Sequence, residues 1–226
     1  MPTAAPAPAD AARATARILL EIKAVGFRPD QPYMLTSGWA SPVYIDCRRL
    51  ISFPDARRKV IAMACALIER DLGFANLDAI AGGETAGIPY AAWIAEAKGL
   101  PMLYVRKKPK GFGRDAQIEG HLEEGQRVLL VEDLATDGAS KVTFAQALRT
   151  AGARVADAFV VFFYGAFPGA IETLGAAGLT LHYLATWRDV VAEAEAAGHL
   201  GPASVTAVRA FLDDPKTWSS AHGGRG

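Results

Sequence analysis

The stretch that decides the fold is Arg127-Val128-Leu129-Leu130-Val131-Glu132-Asp133-Leu134-Ala135-Thr136-Asp137-Gly138-Ala139-Ser140-Lys141. Its apolar run, Val128 to Val131, has no polar alternation, which is typical of a strand buried on both faces of a parallel sheet. Two carboxylates follow, then a turn of small polar residues, and then a helical pattern. Because the first N–H groups of a helix have no intrahelical partner and its dipole favours an anion, the stretch predicts a strand, a phosphate-binding turn and a helix.

This motif differs from the familiar nucleotide-binding loops. It lacks both the Gly-Lys-Ser/Thr of a Walker loop and the G-x-G-x-x-G of a dinucleotide fold. Carboxylates placed before the phosphate turn indicate a sugar, because they accept hydrogen bonds from vicinal hydroxyls or hold a hydrated Mg²⁺ beside a 5′-phosphate. An ordinary strand–helix turn capped by Asp or Ser is the alternative interpretation.

The composition of the 226 residues limits the class of protein. Apolar residues make up 51%, enough for a sizeable core, and the formal net charge of zero does not indicate nucleic acid or an anionic membrane as a partner. Cys47 and Cys65 lie in no C-x-x-C or Cys/His cluster, so neither a disulfide framework nor a zinc site is indicated. The Pro/Ala-rich start is unlike a secretory signal, and no apolar run reaches transmembrane length. We therefore expect a soluble cytoplasmic protein with one domain.

Further apolar runs predict the rest of the sheet. Strands near 78–81, 101–105, 128–131, 155–162 and 179–184, mostly separated by helical patterns, predict an α/β fold with a parallel sheet and helices on both faces. Ligands of such sheets lie at the carboxyl ends of the strands. At one such end, Gly82-Gly83-Glu84-Thr85-Ala86-Gly87 forms a second strand–glycine turn–helix unit suited to an anion.

A strongly basic segment follows the strand near 101–105. Arg106-Lys107-Lys108-Pro109-Lys110-Gly111-Phe112-Gly113-Arg114 has five cations in nine residues, and its Pro and Gly residues predict a long exposed loop. A solvated charge run is the alternative. Because the segment directly precedes the phosphate strand in a chain without net charge, we interpret it as a loop that closes over a highly charged substrate and neutralises a leaving anion.

The segment Leu35-Thr36-Ser37-Gly38-Trp39-Ala40-Ser41-Pro42-Val43-Tyr44 predicts a small hairpin. Gly38 and Ser41-Pro42 mark a turn between short strands at 33–35 and 43–45. Tyr44 is either a buried hairpin residue or an aromatic side chain against which a planar substrate stacks.

These motifs resemble those of orotate phosphoribosyltransferases, a branch of the type I phosphoribosyltransferases. The strand followed by Glu-Asp-x-x-Thr-x-Gly-x-Ser is similar to the phosphoribosyl-pyrophosphate signature, and L-x-S-G-x-x-S-P-x-Y is similar to the hood that covers the base. Arg-Lys-x-x-Lys-Gly-x-Gly…Ile-Glu-Gly is similar to the catalytic loop. The resemblance runs roughly from Leu35 to Thr186, with the motifs in the family's order, and implies a central parallel sheet flanked by helices, with a small N-terminal hood.

The resemblance also implies a reaction and a set of site residues. Orotate and 5-phosphoribosyl 1-pyrophosphate would give orotidine 5′-monophosphate and pyrophosphate, a step of UMP and pyrimidine biosynthesis, with Mg²⁺ bound through the substrate and no direct protein ligand. The implied catalytic residues are Lys107, Glu132 and Asp133. The implied phosphoribosyl-pyrophosphate site comprises Gly83, Glu84, Thr85, Arg106, Lys107, Lys110, Glu132, Asp133, Leu134, Ala135, Thr136, Asp137, Gly138, Ala139 and Ser140. Thr36, Tyr44 and Thr136 would bind orotate, and a homodimer would share the basic loop between its subunits.

The chain departs from the family's pattern in three places. Thr85-Ala86 stands where many members have Tyr-Lys, and Phe112 stands where a His is frequent. At the end of the strand near 155–162 the family commonly has an Arg that binds the orotate carboxylate, whereas this chain has Phe162-Phe163-Tyr164-Gly165 and no Arg. Arg48 and Arg188 are candidates for that role. Two alternatives therefore stay open: a transferase of the same fold for another base, and a regulator that senses phosphoribosyl pyrophosphate without catalysis.

The expected organisation is a single domain. Residues 1–10 form a flexible tail and residues 11–50 form the N-terminal helix and hood. Residues 55–186 form the α/β core, and residues 187–226 form C-terminal helices with a tail that frays from Gly223. The N-terminal helix begins at a cap on Asp10, ends at Gly26 and belongs to a flap or a subunit contact.

Overall fold

The computed structural model describes residues 4–35, 37–110 and 117–225. Its strands, in chain order, are β1 (Ala4–Pro6), β2 (Val25–Phe27), β3 (Tyr33–Met34), β4 (Ala40–Ser41), β5 (Val43–Ile45), β6 (Ala79–Gly83), β7 (Met102–Val105), β8 (Ile118–Glu119), β9 (Val128–Ala135), β10 (Asp157–Phe163) and β11 (Thr180–Thr186). Its α-helices are α1 (Ala9–Glu21), α2 (Pro54–Asp71), α3 (Gly87–Lys98), α4 (Ala139–Thr150), α5 (Ala170–Ala176), α6 (Trp187–Ala196), α7 (Pro202–Asp213) and α8 (Pro215–Ala221). Short 3₁₀ helices cover Cys47–Ser52 and Phe74–Asn76.

A seven-stranded sheet in the order β1-β11-β10-β9-β6-β7-β8 forms the centre of the fold. Its strands pair in parallel, except that β8 is antiparallel to β7. Leu129, Leu130 and Val131 of β9 are fully buried, as the continuous apolar run predicts for a strand covered on both faces. The predicted α/β fold with a central parallel sheet flanked by helices is therefore confirmed.

Helices cover both faces of this sheet. On one face, Ile80 and Leu129 join a core to which α1, α2, α3, α6 and α7 contribute. On the other face, Ala81 and Leu130 pack with residues of α4 and α5. The chain therefore leaves the neighbouring strands β6 and β9 towards opposite faces of the sheet. This divergence opens a crevice at their carboxyl ends, which is the usual place for a ligand in an open α/β sheet.

The hood consists of two small antiparallel pairs, β2 with β5 and β3 with β4. The strands predicted at 33–35 and 43–45 are present, but they do not pair with each other. β3 pairs with β4 because bonds from Leu35 N to Trp39 O and from Gly38 N to Leu35 O, both at 2.8 Å, turn the chain back on itself, and β5 pairs with β2. Gly38 has φ +86°, a conformation that glycine adopts without steric cost.

The expectations for the chain ends need correction. The flexible tail predicted over residues 1–10 is wrong for Ala4–Pro6, which pairs in parallel with β11. Helix α1 begins at Ala9 without a side-chain cap and ends at Glu21, and Gly26 lies in β2 instead. Ala16 and Leu19 of α1 are fully buried in the core that contains Ile80 and Leu129, so the expectation of a flap is wrong. A subunit contact through the exposed face of α1 stays a prediction.

The expected fraying after Gly223 is likewise wrong for the described residues of the C-terminus. Arg225 N donates to Gly38 O at 2.9 Å, so the chain after α8 lies against the hood. Within the described ranges, no helix combines the length and the apolar character needed to cross a membrane.

Candidate active site

Two glycine-containing turns meet at the carboxyl ends of β6 and β9. Gly83 ends β6, and a Cβ placed there would overlap Glu132 Oε1 of β9. A Cβ at Gly87, at the start of α3, would lie 2.7 Å from the same oxygen. Because only a residue without a side chain leaves room for this carboxylate, glycine at both positions brings the turn over Gly83–Thr85 directly against the acidic pair.

The acidic pair lies within β9 rather than after it, so its two side chains point to opposite faces of the sheet. Glu132 faces α4, where the Nζ of Lys141 is 3.3 Å from its Oε2. Lys141 Nζ also donates to Leu134 O and to Ser140 Oγ. Lys141 is 4% exposed, and its role was missed from the sequence because lysine is rarely buried and nothing in the pattern marks this one as inward-facing.

Burial governs the protonation of both acids. Glu132 is 8% exposed, and burial raises its pKa to about 7, with Lys141 opposing and the charge of Asp133 adding to the shift. Burial raises the pKa of Asp133 as well. Among the described residues, Glu132 Oε1 is buried without a hydrogen-bond partner. An oxygen of this kind is ready to accept a hydrogen bond from a ligand hydroxyl.

The turn after β9 has the geometry of an anion site. Gly138 has φ +81° at the N-cap of α4, and a Cβ there would lie 2.8 Å from Leu174 Cγ. Asp137 Oδ1 accepts a hydrogen bond from Ala139 N at 3.1 Å. Thr136 is half-buried, and Ala139 and Ser140 are exposed at the start of the helix. The predicted phosphate-binding residues therefore line the N-terminus of a helix of twelve residues.

The basic loop begins against the turn that follows β6. Glu84 Oε2 accepts a hydrogen bond from Lys107 N at 2.7 Å, and Glu84 N donates to Val105 O at 2.8 Å. The exposed Lys107 is close enough to Glu132 for its charge to oppose the raised pKa of that carboxyl. The structure thus brings Lys107, at the start of the predicted loop, near Glu132 of the acidic pair. Phe112, where the family often has His, lies outside the described residues.

Two other cations of the loop are held by one carboxylate. Arg106 Nη1 lies 3.5 Å from Glu119 Oε1, and Lys110 Nζ pairs with the same oxygen. The hydrogen bond from Lys110 lowers the pKa of Glu119, so the carboxylate stays charged. To bind an anionic substrate, Arg106 and Lys110 would have to leave Glu119.

An exposed tyrosine of the hood lies beside an arginine whose charge interacts with that of Asp133. Tyr44 is 39% exposed and its ring lies 5.4 Å from that of Tyr33, so the alternative of a buried hairpin tyrosine is wrong. Arg48 Nη2 is 3.5 Å from Tyr44 Oη. A hydrogen bond with Asp46 and, more weakly, the charge of Asp133 raise the pKa of Arg48. Thr36, the other predicted hood residue, lies outside the described residues.

Tyr164 directly follows β10, in the segment where the family's arginine is expected, and it has a structural role. Its hydroxyl lies 3.3 Å from both Ser41 Oγ and Val43 O, and its ring stacks on Phe167. Because it is 4% exposed, it joins the end of β10 to the hood rather than facing a ligand. Arg188, one candidate for the missing arginine, pairs with Asp213 of α7 at 2.9 Å. Arg48 is the candidate that lies near the acidic pair.

This parallel sheet, with an acidic pair and a phosphate turn at the end of one strand and a glycine turn beside it, defines the class of type I phosphoribosyltransferases. An orotate phosphoribosyltransferase of Cereibacter sphaeroides is 55% identical over 221 residues, which are 98% of this chain and 95% of that protein. The one of Dinoroseobacter shibae is 53% identical over 222 residues, 98% of each chain.

The solved structures agree with these relatives. The crystal structure of orotate phosphoribosyltransferase from Aeropyrum pernix matches with a TM-score of 0.70 and 34% identity, covering 82% of this chain and 99% of that one. No protein-family model matches the chain. The chain belongs to the orotate phosphoribosyltransferase family of pentosyltransferases, which confirms the resemblance found in its motifs.

Proposed function

We propose that this enzyme transfers ribose 5-phosphate from phosphoribosyl pyrophosphate to orotate, giving orotidine 5′-monophosphate and pyrophosphate. The observation that carries the proposal is the acidic pair of β9: Glu132 lies against the Gly83 turn, and the charge of Asp133 acts on Arg48, in the 3₁₀ helix that follows the hood. A sugar held by Glu132 and Asp133 would then have its 5′-phosphate near residues 136–140 and its pyrophosphate near the Gly83 turn and the basic loop. The base would lie near the hood.

The chemistry requires charge stabilisation more than proton transfer. Cleavage at C1′ creates positive character on the ribose and negative charge on the departing pyrophosphate, whereas the ring nitrogen of orotate is already acidic. Glu132 and Asp133 would accept hydrogen bonds from the ribose hydroxyls and stabilise the positive centre. Residues 136–140 would hold the 5′-phosphate, with Thr136 also near the base. Lys107, with Arg106 and Lys110, would neutralise the pyrophosphate as it leaves.

Magnesium belongs to this proposal as a substrate-bound ion. The site fits such an arrangement, because Glu132 and Asp133 present acceptor oxygens to hydroxyl groups while the loop presents cations that flank a pyrophosphate without ligating a metal. When bound, Mg²⁺ would reduce the negative charge that develops on pyrophosphate. Turnover should therefore disappear with excess EDTA and return with added Mg²⁺, and turnover in EDTA would contradict the assignment.

We also propose a homodimer in which the basic loop serves the partner's site. A groove of about 750 Å³ between α2 and α3 is lined by apolar side chains, including Ile61, Cys65 and Trp93. Arg58 lies at one end of α2 and Glu69 near the other. Two copies related by a twofold axis would therefore bring opposite charges together across their α2 helices.

A mixing experiment tests the shared loop. Lys107→Ala damages the loop and Asp133→Asn damages the pocket, so each variant alone should be nearly inactive. In hybrid dimers, a loop acting across the interface reunites one intact loop with one intact pocket, and the mixture should regain roughly a quarter of wild-type activity after subunit exchange. A loop acting within its own subunit would leave every hybrid site defective, and the mixture would stay inactive.

A cytoplasmic location is the remaining part of the proposal. Cys47 and Cys65 are both buried free thiols, which suits a reducing compartment. Fractionation of cells that express the protein should recover it with cytoplasmic markers. Recovery with membranes or in the medium would contradict this location.

A transferase for another base is the second candidate, favoured because Phe162-Phe163-Tyr164-Gly165, the segment where the orotate-binding arginine is expected, contains no Arg. Purified protein with Mg²⁺ and phosphoribosyl pyrophosphate should consume orotate, followed by its absorbance, and leave uracil and adenine unchanged. Turnover of another base alone would retain the fold and the sugar site but overturn orotate as the substrate. An Arg48→Lys variant then tests the arginine, because lysine keeps the charge without the planar two-point contact to a carboxylate.

A further inference from the structure

The C-terminal segment of the chain is bonded to the hood, which the proposed function takes as the base site. Ser219 of α8 accepts a hydrogen bond from Ala40 N at 2.9 Å and donates one to Arg225 O at 2.6 Å. Arg225 N in turn donates to Gly38 O at 2.9 Å. We name Ser219, Gly224 and Arg225 the C-terminal clamp, and Leu35, Gly38, Trp39 and Ala40 the hood turn.

Close packing accompanies these bonds. Ser219 is fully buried, and a Cβ on Gly224 would overlap both Ala40 N and Ser219 Oγ. The guanidinium of Arg225 lies over the Trp39 ring, 5.8 Å from its centroid. Trp39 itself packs edge-on against Phe167 at 5.4 Å. The clamp therefore fits the hood turn through backbone contact and has no room for a larger residue at Gly224.

The hood turn needs such support because its own structure is small. Strands β3 and β4 have two residues each. Within the turn, Leu35 N bonds to Trp39 O and Gly38 N bonds to Leu35 O, both at 2.8 Å. A two-stranded ribbon is at best marginally stable in water, so outside contacts must set its position. The clamp supplies such contacts to Gly38 and Ala40, on the C-terminal side of the turn.

We propose that the C-terminal clamp positions the hood turn for orotate, so that residues remote from the sugar site set the affinity for the base. The inference rests on the proposed function, since it takes the hood as the base site. The clamp does not touch the acidic pair, the phosphate turn or the basic loop among the contacts of the described residues. Loosening it should therefore weaken orotate binding and leave phosphoribosyl-pyrophosphate binding unchanged.

The test compares two substitutions of glycine by alanine. Gly224→Ala forces a methyl group between the clamp and Ala40. Gly201→Ala is the matched control, because Gly201 has φ −72° and a Cβ there meets nothing within 4 Å. For Gly224→Ala we expect the KM for orotate to rise about fivefold, with kcat and the KM for phosphoribosyl pyrophosphate within about twofold of wild type. Ser219→Ala, which removes the acceptor for Ala40 N, should change the same parameter.

Hydrogen exchange gives a readout that needs no substrate. The amide of Ala40 should exchange faster in Gly224→Ala and Ser219→Ala than in wild type, while the amides of β9 keep their protection. Equal rises in both KM values together with a lower Tm would show a general structural role and overturn the proposal. Unchanged orotate KM and unchanged exchange would overturn it as well. Failure of the wild-type enzyme to use orotate refutes the proposed function instead, and faster exchange in the variants would then show a clamp that serves another base.

Discussion

Replacing Glu132 with glutamine should make the stability of the enzyme less dependent on pH. Burial raises the pKa of Glu132 from its ordinary 4.5 to about 7. Between these two values the folded chain keeps a proton that the unfolded chain releases, so stability falls as the pH rises from 4.5 to 7 and is level above. At about 1.4 kcal/mol for each pH unit between the two pKa values, the loss amounts to about 3 kcal/mol. A glutamine at this position does not titrate and cannot show this loss.

Urea denaturation at pH 5, 6, 7 and 8 measures this difference. The free energy of unfolding of the wild type, minus that of the Glu132→Gln variant, should decrease by about 2 to 3 kcal/mol across this range. Glu96→Gln is the control, since Glu96 is an exposed carboxyl on α3 and its removal should leave the pH dependence of the wild type in place. If the difference in free energy of unfolding between wild type and Glu132→Gln stays constant from pH 5 to 8, burial does not raise the pKa of Glu132.

The same carboxyl should release a proton when the sugar binds. Hydroxyl groups that donate to Glu132 favour its ionised form and lower its pKa. At pH 7 the free carboxyl is half protonated, so binding of phosphoribosyl pyrophosphate should release about half a proton more from the wild type than from Glu132→Gln. Calorimetry in two buffers with different ionisation enthalpies measures this number. Equal proton release by the two proteins would mean that Glu132 does not meet the sugar.

Three further substitutions test other parts of the structure. Lys107→Ala should lower kcat about a hundredfold and leave the affinity for the product nucleotide within a few-fold, and equal losses in both would exclude a transition-state role. Gly83→Ala should raise the KM for phosphoribosyl pyrophosphate about tenfold, because the new methyl group displaces the Glu132 carboxylate, and unchanged kinetics would show that this close contact is not needed. His182→Asn should cost about 2 kcal/mol at pH 6 and less at pH 9. Burial opposes the imidazolium, but hydrogen bonds with Asp157 and Asp71 outweigh burial and raise the pKa of His182. The stabilisation by His182 is therefore present below pH 6.5 and is lost as the pH rises through the raised pKa. Thermal melts of wild type and variant that show no such trend with pH would refute this.

The central strands were predictable from the sequence because each is a continuous apolar run that only a sheet covered on both faces can bury. The run from Val128 to Val131 is the clearest, yet β9 continues to Ala135. Pairing with β10, in which Glu132 lies opposite Val160, holds the acidic residues in the strand whatever their polarity. A pattern of hydrophobicity cannot show where such pairing ends.

Apart from the buried Lys141, the missed features depend on partners that are distant in the sequence. The strand Ala4–Pro6 exists because β11 offers it an edge, and its three residues have no strand propensity of their own. The contact of Arg225 with Gly38 joins residues at opposite ends of the chain. Tyr164, in the segment where an arginine is expected, donates its hydroxyl to the hood backbone at Val43 O. None of these partners can be identified from local patterns.

The two outermost strands of the central sheet, β1 and β8, have a consequence for how the protein behaves when it is crowded. They contain three and two residues, so a neighbouring molecule finds little unpaired backbone on which to add a strand. Pro6 further reduces the free edge of β1 because proline has no N–H to donate. Short or proline-bearing edges are the means by which natural sheets avoid edge-to-edge aggregation. The short strands β1 and β8 at the two edges of the sheet therefore also protect the protein against amyloid-like stacking at high concentration.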